Sequence, residues 1–260
     1  MRISAKRTNR IMGFICILLL MLPLAAFAAN KVVVIPLFGS EQLKNVIIVA
    51  PANANFTDPV AAVESVGSSA SASNPYMVVI RPGVYTITRT LVMKPYVDIV
   101  GSGESVTKIT GAISGADWYT ALIKGANNAV LSSLTIENTG GGGAYSIALS
   151  NDNTSPRVFN VTAKASGGNA SRAIENDSGA ATVLTNVTAE GSGYQTSYGV
   201  FNWGANGVMM DNVTARASGG SSWSCGIYHS GSIAVMNNIT TIARSGAKNY
   251  GIWILVWESR

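Results

Sequence analysis

The sequence predicts an all-β fold, a right-handed single-stranded parallel β-helix with coils of about 26 residues and a short N-terminal cap. Three observations predict it. A motif returns at a constant spacing, no segment shows a sustained helical apolar period, and the apolar columns on either side of one repeated asparagine have opposite parity.

The motif is Asn160-Val161-Thr162-Ala163. It recurs as Asn186-Val187-Thr188-Ala189, Asn212-Val213-Thr214-Ala215 and Asn238-Ile239-Thr240-Thr241, 26 residues apart each time. Ser133-Leu134-Thr135-Ile136 is a weaker copy one residue further away. A second marker keeps step: Ser146-Ile147, Ala173-Ile174, Gly199-Val200, Gly226-Ile227 and Gly251-Ile252. Glycine-rich breaks at 140–143, 167–168 and 219–220 separate the markers. The apolar runs are short, β-branched and bounded by turn residues, so they read as strands. Two or three short strands per repeat are too few for a propeller blade and match one coil of a solenoid.

Parity then fixes a bend. Val158, Leu184, Met210 and Met236 stand two residues before the repeated asparagine, whereas Val161, Val187, Val213 and Ile239 stand just after it. A straight strand cannot turn both sets inward. The chain must bend at Asn160, Asn186, Asn212 and Asn238, and asparagine tolerates left-handed backbone better than most residues. Stacked bends predict a ladder of these four amides. The same position argues against glycosylation of the Asn-x-Thr sequences. Glu137, Lys164, Glu190 and Arg216 fall in one outward column of alternating sign, which reads as cross-strand pairing.

The ends differ from the middle. Arg2, Lys6, Arg7 and Arg10, an apolar run over 11–26 and Ala26-Phe27-Ala28 have the layout of a secretory signal. The predicted organisation is a signal at 1–28, an extension at 29–45, a cap with the first coils at 46–112, and repetitive coils at 113–260. Export places the chain outside the cell, at the cell surface or in the periplasm. Taking the four basic residues of the signal from a net charge of +5 leaves about +1, which excludes the basic stripe that nucleic acid requires. No later stretch is apolar enough to span a bilayer. Beyond Trp253 the repeat stops, and Ile254-Leu255-Val256-Trp257 reads either as a short cap or as the point where the array is cut off; in the second case the last coil self-associates through its open edge.

Residues 46–111 carry a resemblance. Val46-Ile47-Ile48-Val49-Ala50 leads to Asn55-Phe56-Thr57-Asp58-Pro59-Val60-Ala61-Ala62-Val63. Tyr76 to Ile80 and Arg81-Pro82-Gly83-Val84-Tyr85 follow, then Val97-Asp98-Ile99-Val100-Gly101-Ser102-Gly103 and Thr107-Lys108-Ile109-Thr110-Gly111. This order resembles the opening of pectin methylesterases and of the wider pectin-lyase-like superfamily, in which a strand and a short helix cap the first coils. The later coils look like those of bacterial secreted β-helix repeat proteins. The resemblance implies the fold. It carries no catalytic residue here, because the family's glutamine, aspartate and arginine segments are absent and Gln42 and Gln195 sit in no such setting.

The remaining candidates are few. Outside the signal there is one cysteine, Cys225, and one histidine, His229, which excludes Cys/His zinc sites; His229 aligns with Asn176 and Asn202 and reads as structural. Glu175 and Asp177 are two apart on one strand near Arg172. They read as a solvated pair, with calcium binding or a two-acid hydrolysis as the sharper alternatives. In that alignment no acid from a neighbouring coil meets them. Phe201, Tyr228 and Trp253 form an outward aromatic column with Trp203 beside it, read as a self-stacking ladder, as a strip for sugar rings or as a contact for a protein partner. Two functions follow. The first is a non-catalytic secreted β-helix, needing no cofactor, that presents a repetitive surface to polysaccharide or a cell-surface component. The second is a carbohydrate-active enzyme, an esterase or lyase on polyuronate, using acids such as Glu175, Asp177 or Asp211.

Overall fold

The computed structural model describes residues 45–140 and 142–255, with 231–233 described by backbone alone. The predicted signal, most of the extension and residues 256–260 lie outside the described residues. The strands are β1 (Asn45–Val49), β2 (Tyr76–Ile80), β3 (Gly83–Thr86), β4 (Leu91–Val92), β5 (Val97–Val100), β6 (Thr107–Gly111), β7 (Ile123–Lys124) and β8 (Val130–Asn138). They continue as β9 (Tyr145–Asp152), β10 (Arg157–Ser166), β11 (Ala170–Asp177), β12 (Val183–Ser192), β13 (Thr196–Ser218), β14 (Trp223–Arg244) and β15 (Lys248–Leu255). One short helix, α1 (Pro59–Ser65), interrupts them; Asp58 caps it by accepting a hydrogen bond from Val60 N at 2.8 Å, and Pro59 opens its first turn.

All named strands pair in parallel with the counterpart one coil away. Face one stacks β4, β7, β9, β11, the start of β13, the start of β14 and β15. Face two stacks β1, β2, β5 and the first halves of β8, β10 and β12. Face three stacks β3, β6 and the second halves of those long strands. The solenoid is therefore a three-sided parallel β-helix.

The corner between faces two and three is the asparagine bend. Asn160, Asn186, Asn212 and Asn238 have φ of 53°, 52°, 52° and 50°, and Ser133 takes the same conformation at 58°. Each amide donates to the one before it: Asn186 Nδ2 to Asn160 Oδ1 at 3.1 Å, Asn212 to Asn186 at 2.8 Å, Asn238 to Asn212 at 3.0 Å. The bend lets both flanking columns face the interior, where Val158, Leu184 and Met210 and Val161, Val187 and Val213 are buried. A third column, Ile123, Leu149, Ile174, Val200 and Ile227, is fully buried on face one. Each such side chain contributes about 1.5–3 kcal/mol of burial. On face three, Lys164–Glu190 (3.0 Å) and Arg216–Glu190 (2.9 Å) pair across coils, and Glu137 is met diagonally by Lys108 (2.9 Å), which stands opposite Thr135 one coil earlier. These pairs are half-exposed, so each is worth about 0–1 kcal/mol.

The structure corrects one register. Leu149, not Ile147, is the partner of Ile174, and Ser150, Asn151 and Asp152 pair with Glu175, Asn176 and Asp177. The coil is 25 residues long at this point, one shorter than the asparagine spacing, because turns on either side of the face-one strand differ in length.

Candidate functional site

The site is built on face one. Strand pairing there is interrupted at Ala173, Gly199 and Gly226, between pairs such as Arg172–Tyr198 and Ile174–Val200. A Cβ at Gly199 would lie 2.7 Å from Gly226 O and 2.9 Å from Arg216 N, so the backbones of two faces meet closely at this kink. In a regular strand, residues three apart point to opposite sides. The kink puts Arg172 and Glu175 on the same outer side, where they form an ion pair at 2.5 Å. On β11, Ile174 and Asn176 turn inward between them and Asp177.

Outward does not mean solvated. Glu175 is 1% exposed. Arg172 lies over the Phe201 ring at 3.9 Å and near the Tyr145 and Tyr198 rings at 5.2 and 6.0 Å, which seals the carboxyl from water. Burial pushes the Glu175 carboxyl up to about 7; Arg172 opposes the shift, and the charges of Asp177 and Asp152 add to it. The reading of Glu175 and Asp177 as a solvated pair is thus corrected at Glu175, while Asp177 remains partly exposed.

The reading of the aromatic column as an exposed strip is also corrected. Phe201 and Tyr228 stack at 4.8 Å and 10° and are buried with Tyr198 and Cys225 in a second apolar cluster outside the main core. Tyr250 and the half-buried Trp253 pack against it. Trp203 is the exception: it lies parallel to Phe201 (6.3 Å, 2°) and Tyr228 (6.2 Å, 9°), yet is 44% exposed. Its ring stands alongside the Phe201–Tyr228 pair, about equally far from both and parallel to them, and solvent reaches the remainder.

Beside Trp203, in one outward column, lie Asp177 and Asp152, each one coil further along. The neighbouring acid absent from the sequence alignment is therefore Asp152. Its signal was present, because Asn151-Asp152 and Asn176-Asp177 are the same dipeptide. Asp177 is raised first by burial and further by Asp152, against hydrogen bonds from Ser178.

Other candidates lie elsewhere. Beneath the site, Asn151 Nδ2 donates to Asn176 Oδ1 at 2.9 Å and Asn176 Nδ2 to Asn202 Oδ1 at 2.7 Å, a second and buried amide ladder. It ends at Gly125, where a Cβ would strike Asn151 Oδ1. His229 pairs in register with Asn202 at the other end, is buried, and is lowered by desolvation. Cys225 is buried and its thiol is pushed up to about 12 by burial. Asp211 is on face two, held by Asn237 Nδ2 at 2.7 Å, and does not approach the face-one acids. An open groove of about 380 Å³ on face three, between Glu104 and Thr162, has no aromatic floor, and its Lys108 and Lys164 are already ion-paired. Among the described residues, no group of three or more His, Cys, Asp or Glu is placed to hold a metal ion. With Glu175 engaged by Arg172, a calcium site on Glu175 and Asp177 gains no support. No helix among the described residues is long and apolar enough to cross a membrane.

This is the pectin-lyase-like parallel β-helix fold, and solved structures of that architecture resemble it. Escherichia coli YbhC matches at 17% identity and a TM-score of 0.56, over 84% of this chain and 69% of that one. Rice weevil pectin methyl esterase matches at 12% and 0.51, over 86% and 72%, and the Dettilon tailspike protein at 12% and 0.52, over 84% and 48%. The chain spans 36% of the length of a further similar structure, ORF18 of Geobacillus virus E2. No protein-family model and no curated protein matches the chain. At these identities the likeness shows the fold alone.

Proposed function

We propose that this chain is an exported, non-catalytic β-helix that binds polysaccharide through face one. The observation that carries the reading is Trp203, a part-exposed ring parallel to and beside two stacked aromatics, with the Asp177 carboxylate one coil away in its column. A sugar ring has an apolar face that lies against such a platform and hydroxyls that donate to acceptors at its edge. Phe201, Tyr228 and Trp253 support the platform. Catalysis has less support. The carboxyl most displaced in its titration, Glu175, is sealed from any substrate. The buried Cys225 thiol stays protonated at neutral pH, and His229 is buried.

Affinity electrophoresis through gels containing different polysaccharides tests the reading. Retardation of the wild type is expected with at least one polymer, and Trp203→Ala should abolish it while the circular dichroism stays unchanged. Retardation that survives this substitution removes the platform. Export is tested by recovering the chain from the medium with an N-terminus just past Ala28.

A second reading, an esterase or lyase on polyuronate, is favoured by the adjacent Asp152 and Asp177 on the exposed side of face one. Methanol or unsaturated product released from pectin-like substrates by the purified chain would establish it.

A further inference from the structure

Resting on the platform reading, we infer that the Trp203 site is selective for uncharged sugar residues and rejects uronates. Asp152, Asp177 and Trp203 occupy one outward column on successive coils. Adjacent coils are about 4.8 Å apart, so Asp177 lies one coil spacing from the indole and Asp152 two, and a short oligosaccharide running along the column meets both carboxylates. A third carboxyl stands behind them. Glu175 is 1% exposed, its Oε2 has no hydrogen-bond partner, and it is close enough to feel both aspartates.

Arg172 offsets the charge of Asp177 only slightly. Arg172 has a side chain only 11% exposed, is ion-paired to Glu175, and lies against the Phe201 ring. Its charge is held inside the aromatic cluster. The titration of Asp177 is raised first by burial and further by the charge of Asp152, while Ser178 and, least, Arg172 oppose the shift. The two aspartates accept hydrogen bonds from sugar hydroxyls. A sugar carrying its own carboxylate would meet like charge at contact distance, which costs at least about a factor of ten in affinity.

The matched probes are oligogalacturonides and their fully methyl-esterified forms, which differ in charge and ester methyl but not in ring stereochemistry. Binding is measured by titration calorimetry, with neutral β-glucan and xylan oligomers completing the panel. The expected result is that a neutral probe binds and each acidic probe binds at least about tenfold more weakly than its neutral counterpart. The gap should close in the Asp152→Asn, Asp177→Asn double variant. Because repulsion is screened by salt, raising ionic strength should narrow the gap in the wild type as well, which keeps the test open if the variant does not fold. Acidic probes that bind as tightly as neutral ones, with loss in Trp203→Ala, overturn the selectivity and leave the platform standing. Binding indifferent to Trp203→Ala, or no binding by any probe, overturns both.

Discussion

Glu175 is a carboxyl that folding places where water does not reach it. Its titration lies at about 7 in the folded chain against an ordinary value of 4.5, so between these values the folded state holds a proton that the unfolded state has released. The stabilisation linked to this group is complete below about pH 4.5 and is lost as pH rises through about 7. Thermal unfolding should therefore show a melting temperature that falls across that window, and Glu175→Gln should flatten the fall. A variant with the wild-type slope would assign the pH dependence elsewhere. Asn186 is a second single-residue test. Its φ of 52° and its place in the amide ladder are separate contributions. Asn186→Ala loses both and is expected to cost about 1–2 kcal/mol, since a left-handed residue with a Cβ bears that penalty. Asn186→Gly keeps the conformation and should cost less. Denaturant midpoints of the two variants would separate them.

At the scale of the element, the face-one strand is where sequence and structure part. The asparagine bend was legible because its cause is local: two apolar columns of opposite parity admit one solution. The kink at Ala173, Gly199 and Gly226 was not, because it depends on how closely two faces approach. Without it, Arg172 cannot be seen as the cover of Glu175, nor Tyr198 as the neighbour of Phe201. The same region hides Asp152. Matching small-then-aliphatic pairs selects Ser146-Ile147, while the actual register aligns Ala148-Leu149 with Ala173-Ile174. Pattern alone cannot locate a residue lost from a turn. Gly199→Ala tests the kink directly. Its added methyl meets backbone atoms of β12, of β14 and of the far part of β13 itself, and overpacking of this kind costs about 1–3 kcal/mol. A lowered melting temperature with weaker near-ultraviolet dichroism from the Tyr198–Phe201–Tyr228 cluster is expected. An unchanged signal would mean that the faces can separate without penalty.

For the whole molecule, the fold was almost fully readable because a solenoid repeats one decision many times, and noise in one coil is corrected by the next. The functional face was less readable because it depends on exposure, and exposure changes along a column. Ile252 shows this. Its counterparts Ile227, Val200 and Ile174 are fully buried, yet Ile252 is 44% exposed, and β15 pairs only with β14 among the described residues. An open parallel edge beside uncovered aliphatic side chains favours association. Sedimentation equilibrium of the purified chain should show mass rising with concentration, and Ile252→Lys should suppress the rise. A constant monomer mass over the range would dismiss the expectation.

The two amide ladders hand their hydrogens in opposite senses: the outer one toward lower residue numbers, the inner one toward higher. A lengthening α-helix accumulates an axial dipole because every peptide points the same way. Here the side-chain moments of the two rails oppose each other. Further coils of this design would lengthen the rod while these rails largely cancel, leaving little polarity from them at its tips.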